Sequence, residues 1–159
     1  MKLYFAYGSN MDPNRMRKRC PQAVALGRAR LESWRLDWSH TSRKNGGSVA
    51  NIAPRHGGVV WGVVWTLAET FWNKLCAKEG YDPKRNDRFN TYIPKTVEVI
   101  IIQPHGEFTG VFAETFVVNE ESLMLRPTQR YKRYLIEGAV AHRLPPDYID
   151  ELRQIETID

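Results

Sequence analysis

Apolar residues follow two different spacings along this chain, and each spacing predicts one type of secondary structure. Alternating or short unbroken apolar runs predict strands, at residues 3–7, 23–31, 34–39, 48–53, 59–67, 96–103 and 108–118. Apolar residues that recur at helical spacing predict helices, at residues 12–20, 66–78, 126–142 and 145–155. Polar and glycine-containing stretches predict loops at 41–47 and 82–91 and turns at 54–58 and 104–107. This mixture predicts an α/β fold of the mixed, α+β type.

The most informative stretch lies near the N-terminus, where the apolar run 3–7 ends in Gly8-Ser9-Asn10. Glycine allows the backbone to turn, or to approach a ligand closely, because it has no Cβ atom. Asp12 and Pro13 then predict a helix start, since Asp is a good N-cap and Pro is favoured at the first helical position. A strand, a glycine turn and a helix N-terminus together form an anion-binding cradle. The alternative is an ordinary strand-to-helix turn.

A second informative position is Glu79, which ends the helix predicted at 66–78 and precedes Gly80. Glycine commonly terminates helices, so this glutamate falls in the last turn. A carboxylate there faces the negative end of the helix dipole, which disfavours its charged form. A residue that breaks a local rule in this way is a modest indication of function, here as a general base. The alternative is an exposed glutamate at a frayed helix end.

The formal net charge of +5 raises the question of nucleic-acid binding. The densest basic cluster is the run Arg15, Arg17, Lys18 and Arg19, and no nucleic-acid-binding motif accompanies it. We therefore interpret this run as the solvated face of a short helix and predict no nucleic-acid partner. The positive charge also suits an anionic small substrate.

The length of 159 residues predicts a single domain spanning 1–159, large enough to bury a stable core without metal or disulfide staples. Cys20 and Cys76 are too few and too isolated for a disulfide framework or a zinc site, and no histidine pair has metal-ligand spacing. No signal peptide or membrane-spanning run is evident. We therefore expect a cytoplasmic protein that does not enter membranes.

Four segments in the same order resemble the γ-glutamylcyclotransferase family, also described as γ-glutamylcyclotransferase-like or AIG2-like. They are Phe5-Ala6-Tyr7-Gly8-Ser9-Asn10-Met11, Trp61-Gly62-Val63-Val64, Leu75-Cys76-Ala77-Lys78-Glu79-Gly80-Tyr81 and Pro127-Thr128-Gln129-Arg130-Tyr131-Lys132. The resemblance implies a curved or barrel-like mixed sheet with helices packed on it. It also implies an enzyme that releases 5-oxoproline from γ-glutamyl amines or amino acids without a cofactor or a metal ion, and it allows a homodimer.

The resemblance assigns roles to particular residues. Glu79 corresponds to the catalytic acid/base of the family. Substrate binding falls to the following residues: Tyr7, Gly8, Ser9, Asn10, Tyr92 and Tyr131. Tyr81 is the alternative to Tyr92 as the pocket tyrosine, because the predicted loop 82–91 is longer than in most relatives. That loop is a candidate lid.

The leaving group stays open, although the pattern is nearest to the members that act on γ-glutamyl amino acids. Other members act on γ-glutamyl-ε-lysine, on glutathione or on γ-glutamylated antibiotic precursors. The other hypotheses are a cyclotransferase specialised for a different γ-glutamylated metabolite, a non-catalytic protein that binds a small carboxylate, and an RNA-binding protein.

Overall fold

The computed structural model describes residues 1–121, 123 and 125–159. The described part contains five strands, four α-helices and two short 3-10 turns, at Ser9–Met11 and Asp87–Phe89. The strands are β1 (Lys2–Ala6), β2 (Val24–Ser42), β3 (Gly47–Leu67), β4 (Tyr92–Ile102) and β5 (Phe108–Val118). The helices are α1 (Pro13–Arg19), α2 (Glu69–Lys78), α3 (Gln129–Ala141) and α4 (Pro146–Gln154).

The five strands form a closed barrel in the order β1-β3-β2-β4-β5. Neighbouring strands are antiparallel, except where β1 meets β5 in a short parallel contact between Tyr4 and Glu114 that closes the barrel. The predicted mixed α/β class and the barrel-like sheet are therefore confirmed. The predicted pairing of the segments 96–103 and 108–118 is also confirmed, as the hairpin of β4 and β5.

The strands predicted as separate segments between residues 23 and 67 are parts of one long hairpin, so the prediction of a turn at 54–58 was wrong. Pairing continues past this point, from Glu32 opposite Val59 to Trp34 opposite Pro54, and residues 55–58 bulge out between these pairs. Ser33 and Gly57 both have left-handed φ values, 65° and 76°. The turn-forming residues therefore bend the hairpin rather than reverse the chain, since a bulge uses the same residue types.

Most other errors concern the ends of elements. Helix α2 begins at Glu69 rather than at residue 66, because Thr66 and Leu67 still pair with β1. Strand β4 begins at Tyr92, four residues earlier than the predicted strand at 96. The predicted loop at 41–47 shortens to a turn at 43–46, since β2 continues to Ser42 and β3 resumes at Gly47.

The predicted helix caps are present. The Asp12 carboxylate accepts a hydrogen bond from the Arg15 backbone N–H at 2.7 Å, and the Thr128 hydroxyl accepts one from the Tyr131 backbone N–H at 3.2 Å. Each cap satisfies one of the N–H groups that a helix leaves unpaired at its start. The two caps fix the starts of α1 and α3, the helices that border the candidate site.

Two glycines allow backbones to approach closely around β1. A Cβ atom on Gly62 of β3 would lie 2.3 Å from the Ala6 carbonyl oxygen. A Cβ atom on Gly138 of α3 would lie 2.6 Å from the carbonyl carbon of Met11. Because Gly62 and Gly138 have no Cβ atom, β3 can lie close to β1 and α3 can lie close to the Ser9–Met11 turn.

Candidate active site

The segment that follows β1 has the predicted strand, turn and helix order, but its turn is more regular than a loop. Ser9–Met11 forms a 3-10 turn whose residues are all buried. Its first backbone N–H groups have no partner within the turn, as at any helix start. A Cβ atom on Gly8 would lie 3.3 Å from both the Tyr131 hydroxyl and the Ala50 side chain. Glycine therefore lets the backbone lie against Tyr131.

The structure brings all seven predicted site residues together around one small inner cavity of about 40 Å³. These residues are Tyr7, Gly8, Ser9, Asn10, Glu79, Tyr92 and Tyr131. Tyr4, Ala50 and Phe116 complete the lining. The cavity therefore joins residues from both ends of the chain and from four strands, which no local pattern in the sequence could bring together.

A wider outer cleft of about 200 Å³ adjoins this inner cavity. Ser9, Glu79, Tyr92 and Tyr131 line both spaces. The remaining lining of the cleft is mainly polar and includes the cationic side chains of Arg15, Arg19, Lys44 and Lys78. Glu79 therefore lies at the junction of a small aromatic chamber and a basic cleft.

Glu79 is held at this junction by its position at the end of α2 and by two hydrogen-bond donors. Gly80, with φ of 77°, ends the helix as predicted. Arg19 Nη1 lies 2.7 Å from Glu79 Oε1, and Asn10 Nδ2 donates to the same oxygen at 3.3 Å. The side chains of Arg19 and Glu79 are only 16% and 19% exposed, so solvent screens this ion pair less than it screens a surface pair. The guanidinium opposes the effect of the helix dipole on the carboxylate.

The four tyrosines of the inner cavity make different hydrogen bonds. Tyr7 donates its hydroxyl proton to the Phe116 carbonyl at 2.5 Å, and Tyr92 donates to the Ala50 carbonyl at 2.7 Å. The Tyr131 hydroxyl instead accepts from the Ala50 N–H at 3.1 Å, and the Tyr4 hydroxyl accepts from Asn10 Nδ2 at 3.0 Å. Tyr131 and Tyr4 therefore keep an O–H proton that can be donated to a ligand.

Burial raises the pKa of each of these phenols above its ordinary value of 10.0. Burial disfavours the charged phenolate, and the nearby Glu79 carboxylate adds to this effect. All four side chains consequently stay protonated at neutral pH, so the chamber presents hydroxyl donors rather than phenolate bases.

His40 lies on β2 and lines the outer cleft, where its ring packs edge-on against Tyr92 with centroids 5.4 Å apart. Burial lowers the pKa of His40, although the Glu79 carboxylate acts in the opposite direction. The neutral imidazole is therefore the main form near pH 7. The sequence pattern did not indicate a role for this histidine.

Of the two candidate pocket tyrosines, Tyr92 lines both spaces, whereas Tyr81 lines neither of them. Tyr81 is partly buried and packs against the core beside the end of α2. The loop 82–91 contributes only Thr91 to the cleft lining. A lid function for this loop stays a prediction.

The interpretation of the basic run as a solvated helix face was wrong for two of its four residues. Arg17 and Lys18 are exposed, but Arg15 and Arg19 are half-buried and line the outer cleft. Their spacing of four residues indicates that Arg15 and Arg19 share one face of α1. The spacing does not indicate whether that face is buried, because burial depends on the distant helix α2.

The other candidate groups do not form a reactive cluster. Cys20 and Cys76 are free and buried, and burial raises the pKa of Cys20 and raises that of Cys76 to about 11. Both therefore stay protonated and poorly nucleophilic near neutral pH.

The described residues contain no group of three or more His, Cys, Asp or Glu side chains arranged to hold a metal ion. None of the described helices combines the length and the apolar character that a bilayer-spanning helix needs.

Comparison with known proteins shows the family to which this barrel belongs. A model of the AIG2-like family matches residues 59–152. Two curated proteins named gamma-glutamylcyclotransferase, from Bos taurus and Homo sapiens, are each 32% identical over 162 residues. The match covers 99% of this chain and 80% of each relative. A solved structure of a gamma-glutamyl cyclotransferase superimposes with a TM-score of 0.87 at 30% identity, covering 99% of this chain and 89% of that one. The chain belongs to the γ-glutamylcyclotransferase family.

Proposed function

We propose that this protein is a γ-glutamylcyclotransferase in which Glu79 acts as general acid and base on a γ-glutamyl amine or amino acid. The observation that carries the proposal is the position of Glu79 at the junction of the inner cavity and the outer cleft. In this arrangement the inner cavity takes the γ-glutamyl group and the cleft takes the leaving group. The bond to be broken then lies beside the Glu79 carboxylate.

The substrate supplies its own nucleophile. Its α-amino nitrogen attacks the γ-carbonyl carbon, a C–N bond forms, and the five-membered ring of 5-oxoproline closes. A well-held intramolecular geometry of this kind can contribute about 7–11 kcal/mol toward the barrier. The reaction therefore asks the protein for proton transfer and charge stabilisation, and requires no protein nucleophile or metal ion.

Glu79 carries out the proton transfers of this mechanism. The carboxylate first removes a proton from the α-ammonium group, which frees the nitrogen lone pair for attack, and this proton passes to solvent. After attack the carboxylate removes a second proton from the now cationic nitrogen, and the resulting carboxylic acid gives that proton to the departing nitrogen as the original amide C–N bond breaks; the released amine takes up one more proton from solvent. One carboxyl group near both nitrogens can serve as base and then as acid.

The negative charge on the γ-carbonyl oxygen needs hydrogen-bond donors. Backbone N–H groups of the Gly8–Asn10 segment and the Tyr131 hydroxyl are the donors that we assign to it, or to the substrate α-carboxylate. Removing one such donor in other enzymes costs roughly 3–4 kcal/mol of transition-state stabilisation. The buried position of these groups supports the assignment, since electrostatic interactions are stronger where water is excluded.

The cations of the outer cleft favour a leaving group that carries a carboxylate. Lys44 and Lys78 line the cleft, and neither forms an ion pair with a described residue. A γ-glutamyl amino acid places its free carboxylate in this region, whereas γ-glutamyl-ε-lysine also brings an ammonium group there. We therefore propose γ-glutamyl amino acids as the preferred substrates.

The proposed function is tested by incubating the purified protein with γ-glutamyl-alanine, γ-glutamyl-ε-lysine and glutathione and measuring 5-oxoproline by mass spectrometry. We expect the highest kcat/KM for γ-glutamyl-alanine. A preference for another of the three substrates would keep the reaction and change the leaving group. The absence of 5-oxoproline with all three substrates would contradict the proposal. That result would favour a more specialised γ-glutamylated substrate or a non-catalytic carboxylate-binding protein. Binding of RNA that weakens as the salt concentration rises would favour the RNA-binding hypothesis.

The matched variants Tyr131→Phe and Tyr92→Phe test the tyrosine assignment. Each removes one hydroxyl that is bonded to the Ala50 backbone, so each leaves one buried backbone group unpaired and costs about 1–3 kcal/mol of stability. Of these two hydroxyls, Tyr92 gives its proton to the Ala50 carbonyl and Tyr131 keeps its proton for the substrate, so Tyr131→Phe alone of the pair is expected to lower kcat by about 100-fold. Equal kcat values for the two variants, measured well below their melting temperatures, would remove Tyr131 from the mechanism.

Several broader predictions also stay proposals. We propose that residues 1–159 form one γ-glutamylcyclotransferase-like domain, that it works in the cytoplasm, and that it needs no cofactor. A small γ-glutamyl compound is the proposed partner, and nucleic acid is not. Formation of a homodimer stays a prediction, which sedimentation analysis of the purified protein would test.

A further inference from the structure

Two parts of the N-terminal segment contact the same oxygen atom of Glu79. Arg19 at the end of α1 places Nη1 2.7 Å from Oε1, and Asn10 in the 3-10 turn places Nδ2 3.3 Å from it. No described residue donates a hydrogen bond to the other oxygen, Oε2. The two oxygens of the carboxylate are therefore chemically different in the folded protein.

We propose that Arg19 is a positioning residue which, with Asn10, holds Oε1 of Glu79, so that Oε2 is the oxygen that exchanges protons with the substrate. This inference rests on the proposed function, in which Glu79 is the general base. A carboxylate held through one oxygen keeps a fixed orientation, and its second oxygen stays available for the α-ammonium and later for the leaving nitrogen.

Several other groups lie in this region, but Arg19 is the charged group in direct contact with Glu79. Glu79 ends α2, where the helix dipole opposes its negative charge. The other charged or titratable side chains that line the two spaces around Glu79 are Arg15 from α1, Lys78 from α2, His40 from β2, Lys44 from the 43–46 turn, and the phenols Tyr4, Tyr7, Tyr92 and Tyr131. None of the cations in this set forms an ion pair with Glu79 among the described contacts.

The competing role for Arg19 is direct binding of a leaving-group carboxylate, since Arg19 also lines the outer cleft. The two roles predict different substrate dependence. A positioning residue affects every γ-glutamyl substrate equally, because each one uses Glu79. A residue that binds the leaving-group carboxylate affects only the substrates that carry one.

Two substitutions of Arg19 test the positioning role. Arg19→Met removes the charged donor that holds Oε1, so the Glu79 carboxylate is no longer kept in one orientation. The misplaced base is expected to lower kcat/KM at neutral pH by about 10–100-fold. Arg19→Lys restores a charged donor, so we expect it to recover part of the rate. Arg17→Met, an exposed change on the same helix, should match wild type in kcat/KM.

A pair of substrates separates the two roles for Arg19. γ-Glutamyl-alanine has a leaving-group carboxylate, and γ-glutamyl-ethylamide does not. We expect Arg19→Met to lower kcat/KM by the same factor, within about threefold, for both compounds. A loss confined to γ-glutamyl-alanine would overturn the proposal and make Arg19 a leaving-group contact.

Nuclear magnetic resonance separates a failure of this proposal from a failure of the proposed function. Glutamate labelled with ¹³C at the carboxyl carbon reports the surroundings of the Glu79 carboxylate, and the Glu79→Gln spectrum assigns its signal. At neutral pH the chemical shift of this signal should differ between Arg19→Met and wild type, and Arg17→Met should leave it unchanged, whether or not the protein turns over a given substrate. An unchanged chemical shift in Arg19→Met would overturn the Arg19 proposal. Wild-type turnover that does not depend on Glu79 would overturn the proposed function instead.

Discussion

Replacing Glu79 by glutamine is expected to lower the kcat for 5-oxoproline release by about 10²–10⁴-fold while the protein stays folded. The amide can neither remove the proton from the substrate α-ammonium nor return one to the leaving nitrogen. Its oxygen can still accept the hydrogen bonds from Arg19 and Asn10 that Oε1 accepts in wild type. Steady-state kinetics with γ-glutamyl-alanine and circular dichroism melting of the same preparation check both parts of this prediction.

Glu69→Gln is the matched control, because Glu69 lies in the first turn of the same helix and its side chain is 61% exposed. We expect this variant to keep wild-type activity. The kcat of Glu79→Asp should lie between the kcat values of Glu79→Gln and Glu69→Gln. The shorter aspartate side chain keeps the carboxylate but places it farther from the junction. A kcat of Glu79→Gln within a few-fold of the wild-type kcat would show that Glu79 is not the general acid and base.

Replacing Gly62 by alanine is expected to lower the free energy of unfolding by about 3 kcal/mol or more. The new Cβ atom would lie 2.3 Å from the Ala6 carbonyl oxygen and 2.6 Å from the Phe5 ring. Phe5 and Ala6 pair with Val64 and Val63, so β1 cannot move away without disturbing the barrel. Urea unfolding should show the loss, which corresponds to a decrease in Tm of roughly 6–12 °C for a chain of this size.

Gly110→Ala is the control for that change. It makes the same substitution in a strand, but its Cβ atom would meet only the Glu98 carboxylate, at an ordinary contact distance of 3.5 Å. We expect its free energy of unfolding to change by less than about 1 kcal/mol. Equal stability of Gly62→Ala and Gly110→Ala would contradict the close approach of β1 to β3.

The Gly62 variant also links the fold to the site. Strand β1 leads directly into Tyr7 and the Ser9–Met11 turn, so a displaced β1 displaces the residues that line the inner cavity. Any molecules of Gly62→Ala that fold are therefore expected to turn over substrate more slowly. The exposed position of Gly110 on β5 predicts no such effect.

Local signals account for the features that the sequence predicted correctly. Asp12 and Thr128 cap helices because a side-chain oxygen three residues away can reach an unpaired N–H, and Gly80 ends α2 because it can adopt a positive φ. Strand β5 has the predicted bounds, because the turn predicted at 104–107 directly precedes it and marks where it begins. The seven site residues come from short motifs that resemble a family. The structure places all seven around one cavity, and their roles in binding and catalysis stay a prediction.

Only the tertiary structure decided the features that depend on distant parts of the chain. The hairpin of β2 and β3 continues past Pro54 because pairing with the opposite strand outweighs the local tendency of residues 54–58 to turn. The contact between Arg19 and Glu79 joins residues 60 positions apart, and no periodicity in a seven-residue helix indicates which face will be covered. The sequence by itself therefore determined which side chains are available for the candidate site. The closed barrel determined which of these side chains contact each other, because contacts between residues far apart in the chain depend on the packing of the whole chain.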